Sequence, residues 1–134
     1  MTFRPLIHGL TAGAVGTTVL NTVTYLDMVV RDRPSSDVPA ETAERATDLA
    51  GYGVGAAYGV LRSSVLSGVP RPIAGVGIAA AATAATVLPY SALGVSDPRS
   101  WPAKSWAADI IPHLCYGWAT AAAFDALHSA SAGD

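Results

Sequence analysis

The longest uninterrupted apolar stretch of the chain covers 72–96, and the other elements can be placed relative to it. Its 25 consecutive residues carry no formal charge and are dominated by Ala, Val, Ile and Gly. A helix that crosses a bilayer needs about 20 largely apolar residues, whereas a soluble helix of this length normally has one polar face. No polar face can be drawn here, so the pattern predicts a membrane span over 73–94.

A second charge-free stretch, 5–26, predicts another span over 6–29. It is longer than the apolar core of a cleavable signal peptide, which has roughly 7–15 residues. It also contains Asn21, so we favour a retained helix over a signal peptide. Gly9 and Gly13 lie four residues apart on one face of this helix, and such a face allows another helix to approach closely.

Charge is concentrated in 31–48, which also contains Pro34 and Pro39. This composition predicts a connection exposed to water. Ser36 or Asp37 would cap the next helix, because a short polar side chain before a proline-containing first turn is typical of a helix start. The second helix is therefore expected to begin in water and to continue into the membrane.

The second span is predicted over 44–68, although only 49–61 is free of charge. It is long enough if Arg62 extends its guanidinium to an interface or faces the protein interior. Glycines recur at every fourth position of this helix: Gly51, Gly55 and Gly59. In an apolar helix this spacing indicates a face that packs against another helix.

The turn 70–72 contains two prolines around Arg71, so it predicts a tight connection between antiparallel neighbours. In the following span, Gly75 begins a stripe of small residues that is also expected to pack against a helix. Pro89 near the far end is expected to kink this helix or to mark its end.

Trp101 and Trp106 stand among prolines, in a composition typical of the membrane–water boundary. A short surface helix is predicted over 102–110. Pro112 allows two interpretations, a kink within one long helix or the first turn of a new one. We favour the second, with a separate span over 112–128.

Composition agrees with a membrane protein better than with an Ala-rich soluble bundle. The 134 residues are 51% hydrophobic and only 13% charged, compared with about 25% charged in soluble proteins. A net charge of −2 provides no basic surface for nucleic acid. The single Cys115 leaves no internal disulfide, and no Cys/His cluster predicts a metal or another cofactor. The expected fold is all-α: one transmembrane domain over 1–134, with four spans and a short interfacial helix.

Three ionisable residues are predicted near membrane depth and form a possible polar site: Asp27, Arg62 and His113. A carboxylate in a membrane is by default a candidate ion or proton site. Asp27 also has Arg31 one turn later, so an interfacial ion pair is the simpler interpretation. His113 is interpreted as a hydrogen-bonded histidine, with a proton-linked or haem-ligand role as the alternative.

Other polar residues of the last span give weaker signals. Asp125 and His128 lie at its end and are expected to be solvated. The tyrosines are expected to anchor the interface or to form hydrogen bonds between helices. No nucleophile elbow, zinc-protease motif, phosphate loop or dinucleotide fingerprint is present, so no catalytic residue is predicted.

Two segments carry a resemblance to known proteins: TVLNTVTYLDMVVRDRPSS near the start, and ALGVSDPRSW followed by IPHLCYGWATAA near the end. With them the chain resembles a group of small actinobacterial membrane proteins of unknown function, which are distantly similar to the YagU-like inner-membrane family. The chain is shorter than such proteins between its first two spans. The resemblance implies several transmembrane helices in the inner membrane, and no established activity.

The same segments contain a weak internal sequence repeat. It is explained either by two similar helical hairpins or by coincidence among common membrane residues. The expected function is a structural or accessory role in the membrane. The protein would associate with itself or with other membrane subunits. The alternative is a small transporter or channel with a polar path near Asp27, Arg62 and His113.

Basic residues predict the orientation of the spans. Five basic residues lie in the connections after spans one and three: Arg31, Arg33, Arg45, Arg99 and Lys104. Three lie on the opposite side: Arg4, Arg62 and Arg71. Since Lys and Arg are enriched in cytoplasmic loops, both termini are expected outside. A reporter active only in the cytoplasm should therefore be silent when fused to the C-terminus. A strong signal there would reverse the orientation.

Overall fold

The structure is a computed structural model that describes residues 3–32 and 40–133. Four α-helices and a short 3-10 helix follow one another: α1 Arg4–Arg31, α2 Ala40–Arg62, α3 Arg71–Ala92, the 3-10 helix Pro98–Ser100, and α4 Ala103–Ala132. The four helices form a bundle, so the all-α prediction is confirmed.

Helix α1 lies at the centre of the bundle, packed against α2 on one side and α4 on the other. Helix α3 packs mainly on α4, and α2 and α3 meet over a smaller area. Helix α1 is antiparallel to α2, since Gly9 lies beside Gly59 and Gly13 beside Gly55. Helix α4 is antiparallel to α1 and α3, since Arg4 reaches Ser131 and Arg71 reaches Asp125. We call the end where α1 and α3 begin the Arg62 end, and the opposite end the Asp27 end.

The α1–α2 crossing is made of glycine backbones in direct contact. A Cβ atom added to Gly55 would lie 2.5 Å from Cα of Gly13, and one added to Gly13 would lie 2.7 Å from the carbonyl oxygen of Gly51. A Cβ atom added to Gly59 would lie 2.8 Å from Cα of Gly9. No side chain fits between these helices, so the five glycines set the distance between their axes.

A second close approach joins α3 to α4. A Cβ atom on Gly117 would lie 2.9 Å from the backbone nitrogen of Ala79, and one on Gly75 would overlap the Trp118 indole, with Nε1 at 2.9 Å. The indole nitrogen of Trp118 donates a hydrogen bond to the Pro72 carbonyl at 3.2 Å. Small residues therefore bring this pair together as well, with Trp118 covering Gly75.

The bundle carries many of its large apolar side chains on the outside. Val30 is 81% exposed and Leu88 is 65% exposed, and Ile7, Leu49 and Ile73 are exposed as well. The core is built largely from small residues, while the largest fully buried side chains are those of Tyr116, Phe124 and Thr120. A soluble bundle of this size normally turns its large aliphatic side chains inward.

One helix in the described part of the chain is long and apolar enough to cross a membrane by length and composition, Arg71–Ala92. Only 28% of its most apolar window is buried inside the bundle. The core helix of a soluble protein would be mostly buried, and this helix is not.

The structure corrects the bounds of the second helix, predicted over 44–68. Helix α2 ends at Arg62 because the Arg62 guanidinium donates hydrogen bonds to the carbonyl oxygens of Leu66 and Val69, both at 2.6 Å. These bonds hold the following residues in turns instead of helix. At its other end α2 already includes Ala40. The predicted caps, Ser36 and Asp37, lie outside the described residues.

The prediction of a separate surface helix over 102–110 and a span over 112–128 was wrong. Helix α4 is continuous from Ala103 to Ala132 and includes Pro112. Proline removes one backbone donor from a helix, and here the carbonyl without its usual donor is that of Ala108, four residues earlier. The helix continues past this missing bond. Helix α3 likewise includes Pro89 and ends three residues later, at Ala92.

The glycine crossing predicts a large difference between two glycines of the same helix. Gly55→Leu places a side chain where the α1 backbone lies, so it should lower the free energy of unfolding by about 1–3 kcal/mol, as overpacking does elsewhere. Gly53→Leu is the matched control, because a Cβ atom on Gly53 meets nothing within 4 Å. Thermal melting in detergent would compare them, and equal melting temperatures would contradict the role of the crossing.

Candidate functional site

A small polar cluster lies inside the bundle, where α1, α2, α3 and α4 come closest. It surrounds a cavity of about 10 Å³ whose polar lining is Thr17, Thr47, Thr86, His113 and Tyr116. We call these five residues the His113 cluster. A cavity needs roughly 10–15 Å³ to hold one water molecule, so this one is at the lower limit for a single water.

His113 is buried and oriented by its own helix. Its Nδ1 atom lies 2.7 Å from the Asp109 carbonyl oxygen and 3.5 Å from the Asp109 carboxylate. Because a carbonyl oxygen only accepts, Nδ1 carries a proton in this arrangement. The Nε2 atom is buried without a hydrogen-bond partner among the described residues. In a neutral ring it is an acceptor available to a donor inside the bundle.

The Asp109 side chain lies one helical turn before His113 in α4. One of its oxygens, Oδ2, is buried without a hydrogen-bond partner in the described part of the chain. In the pair that Asp109 and His113 form, Oδ2 therefore faces Nδ1 at 3.5 Å, beyond ordinary hydrogen-bond distance, and Nε2 on the other side of the ring is unsatisfied.

Tyr116 connects α4 to α2. Its hydroxyl donates a hydrogen bond to the Gly51 carbonyl oxygen, next to the glycine crossing. Thr17 donates to the Gly13 carbonyl at 2.8 Å on the α1 side. The sequence predicts tyrosines that form hydrogen bonds between helices without distinguishing Tyr116. The nearest signal is its position beside Gly117, where a small residue lets the neighbouring helices close around the ring.

A second group of charges lies at the Arg62 end. The carboxylate of Asp125 lies between two guanidinium groups, with Nε of Arg71 at 2.9 Å and Nε of Arg62 at 3.7 Å. The expectation that Asp125 is solvated does not hold, because its side chain is only 23% exposed. His128, also expected to be solvated, is exposed, and its ring stacks on Phe124 with the centroids 5.6 Å apart.

The three residues of the predicted polar path are not brought together. Asp27 forms an ion pair with Arg31 at 2.7 Å on the outer turn of α1. Arg62 lies at the other end, where Gly59 packs against Gly9. From Gly9 to Asp27 the helix rises by about 27 Å. His113 lies between these ends and lines a cavity with room for about one water.

The described residues offer few ligands for a cofactor. Among them, no three His, Cys, Asp or Glu side chains form a group that could hold a metal ion. Cys115 is a half-buried free thiol. What the arrangement provides is hydrogen bonding inside an apolar bundle and an ion-pair group at one end.

Comparison of the chain with models of known protein families, with curated proteins and with solved structures finds no match. The resemblance to the YagU-like family therefore stays an expectation based on short motifs, and the function has to be argued from the geometry.

The ion-pair group at the Arg62 end predicts the effect of neutralising Asp125. Asp125→Asn leaves Arg62, whose side chain is 15% exposed, without its carboxylate. We expect a loss of about 1–3 kcal/mol in the free energy of unfolding, less than for a fully buried pair. Asp32→Asn is the control, since Asp32 is exposed and has φ 48°, a conformation that asparagine tolerates well. Equal chemical denaturation of both variants would contradict the expectation.

Proposed function

We propose that the chain is a small integral membrane protein with a structural or accessory role, inserted as a bundle of four transmembrane helices. One observation carries this proposal: large apolar side chains cover the outside of the bundle, while glycine, alanine and hydrogen-bonded polar groups fill its inside. In lipid there is no hydrophobic drive to bury aliphatic side chains, and small residues at helix contacts supply the association.

The energetic cost of the same surface in water supports a lipid environment. Leaving a Leu, Ile or Val side chain exposed to water instead of burying it forgoes about 1.5–3 kcal/mol. Ile7, Ile73 and Leu88 are each more than half exposed. In a bilayer these side chains contact acyl chains, so the cost disappears.

The placement of charge agrees with the thickness of a bilayer. Along α1, Arg4 and Asp27 are separated by 23 residues, or about 35 Å, close to the roughly 30 Å of a hydrocarbon core plus its interfaces. At the Asp27 end, Trp101 and Trp106 lie with their ring centroids 5.1 Å apart. Indole rings at headgroup depth are typical of membrane proteins.

A structural role is favoured over transport because the interior is filled. The His113 cluster encloses room for about one water, and the glycine faces are used within one chain. Association with a second copy or with other membrane subunits would therefore use the outer surface of the bundle. The bilayer is the first partner, and the proposed location is the inner membrane, with several passes.

A small transporter or channel is the second candidate. It is favoured by two atoms, Nε2 of His113 and Oδ2 of Asp109, which are buried without hydrogen-bond partners among the described residues. Such atoms in an apolar bundle are costly and often serve an ion or a proton. His113→Phe in proteoliposomes that contain a pH-sensitive dye would test this candidate. An unchanged proton leak in that variant would count against it.

Membrane extraction tests the main proposal. Washing membranes with alkaline carbonate should leave the protein in the pellet, because an inserted bundle cannot leave the bilayer without exposing its apolar outer surface to water. Release into the supernatant would overturn the proposal.

A pair of arginine substitutions on α3 separates the two environments further. Ala80→Arg places a charge at the middle of the exposed face, where insertion into lipid costs about 2.5–3.5 kcal/mol. It should reduce the amount of protein in the membrane. Ser91→Arg is the control at the exposed end of the same helix. A bundle surrounded by water would tolerate both equally.

A further inference from the structure

The interior of the bundle is polar on the Asp27 side of the His113 cluster. Three helices each place a polar side chain about one turn beyond the cluster in that direction: Asn21 on α1, Asp48 on α2 and Asp109 on α4. The Asn21 amide nitrogen lies 3.5 Å from the Asp48 carboxylate, across the contact between α1 and α2. These side chains are half-buried, so they continue the polar interior toward the Asp27 end.

Toward the Arg62 end the interior is closed. The backbones of α1 and α2 meet at Gly13 and Gly55 without space for a Cβ atom. Helix α4 adds the buried rings of Tyr116 and Phe124, and Ala12 of α1 is buried as well. A polar path that enters at the Asp27 end therefore stops at the His113 cluster.

The cavity inside the His113 cluster is more exposed on its Asp27 side. Thr47 and Thr86 line it there, each about one turn nearer to that end than Gly51 and Ala82, which line it as well. Thr47 and Thr86 are half-buried, whereas the other members of the cluster are fully buried. Water therefore has its shortest route to the cavity from the Asp27 end.

The polar lining of this cavity is rich in acceptors. Thr17 and Thr86 each donate their hydroxyl proton to a carbonyl of their own helix, and Tyr116 donates to a carbonyl of α2. The three oxygen atoms keep lone pairs that can accept a further hydrogen bond. Nδ1 of His113 is occupied by the Asp109 carbonyl, which leaves Nε2 as an acceptor too. Such a lining suits a ligand that donates hydrogen bonds.

The charges around His113 favour a cation. The Asp109 carboxylate lies 3.5 Å from its ring, and Asp48 of α2 lies about one turn beyond the cavity. Among the described residues that line the cavity, none is Lys or Arg. Tyr116 is the other titratable group there, since α1 and α3 contribute the neutral side chains of Thr17, Asn21 and Thr86. Room for about one water limits the ligand to a very small one.

We propose that the His113 cluster takes up one proton from water at the Asp27 end and does not pass it on to the Arg62 end. A hydronium ion transfers its proton to Nε2 of His113, which leaves a water molecule and an imidazolium ring beside the Asp109 carboxylate. The inference deepens the second candidate function by naming the proton as the bound species. It rests on the proposed membrane location, where the two ends of the bundle face different compartments.

Nuclear magnetic resonance of the full chain in lipid nanodiscs, with ¹⁵N-labelled histidine, tests the uptake of the proton. The chain has three histidines, so His113→Gln identifies the signal of His113. As the pH is lowered, the Nε2 signal should move from the position of an unprotonated nitrogen to that of a protonated one. Circular dichroism at each pH would show that the bundle remains folded.

A pair of threonine variants tests the entrance. Thr86→Leu fills the cavity on its Asp27 side and should lower the protonated fraction of His113 at a given pH. Thr22→Leu is the matched control and should leave that fraction unchanged. Both threonines donate to the carbonyl four residues earlier, but Thr22 is exposed on the outside of α1.

Cysteine labelling tests the direction of access. In a Cys115→Ser background, a thiol reagent that cannot cross membranes is applied to one face of sealed vesicles at a time. Asp32→Cys marks the Asp27 end and Ser129→Cys the Arg62 end, since both positions are exposed. Asn21→Cys should react only from the face that labels Asp32→Cys, whereas Ala12→Cys, at a buried position of the same helix, should react from neither face.

Three results would overturn the proposal. The first is a His113 ring that stays neutral at every pH at which the bundle is folded. The second is an equal protonated fraction in Thr86→Leu and the parent. The third is a different labelling pattern: Ala12→Cys labelled from either face would indicate a continuous path, and Asn21→Cys labelled from neither would exclude entry at the Asp27 end. Release by carbonate would refute the membrane proposal, whereas retention together with any of these results would refute proton uptake alone.

Discussion

The direct contact between the α1 and α2 backbones is the constraint on which the rest of the bundle depends. Gly13 and Gly55 meet with no space for a Cβ atom, so the two helices are as close as their backbones allow. This closeness brings the Gly51 carbonyl within reach of Tyr116 on α4. On the adjoining face of α1, a Cβ atom on Gly16 would lie 2.8 Å from the Tyr116 ring, so α4 is positioned by the same closeness.

The contacts around α1 differ in kind from the contact between α2 and α3. Around α1 the helices meet through glycine and alanine, and a few polar groups satisfy one another in the interior. Between α2 and α3, by contrast, the contact is small, and Arg62 shapes the connection through its bonds to Leu66 and Val69. The helices are thus closely packed along α1 and loosely packed between α2 and α3. The loosely packed contact lies next to the ion pairs of Asp125.

Much of the fold could be predicted from the sequence, because charge-free stretches mark the helices and prolines mark the tight turn at 70–72. The continuity of α4 could not, since a proline such as Pro112 is compatible both with the first turn of a helix and with a position inside one. The ion pairs of Asp125 could not be predicted from the sequence either, because both of its arginine partners come from other helices. Such side-chain contacts between distant parts of the chain have no local pattern, and the polar cluster was missed for the same reason.

If the bundle is inserted as proposed, the short apolar part of α2 has a consequence for the bilayer around it. Its charge-free part, 49–61, is about 20 Å long, shorter than the roughly 30 Å of an average hydrocarbon core. Helix α3 has no such deficit, so the two neighbours present unequal apolar lengths to the lipid. A bilayer adapts to a short helix by thinning locally. The protein would therefore thin the membrane next to α2 and not around the other helices. It would partition into thinner membrane regions, with α2 facing the thinner part.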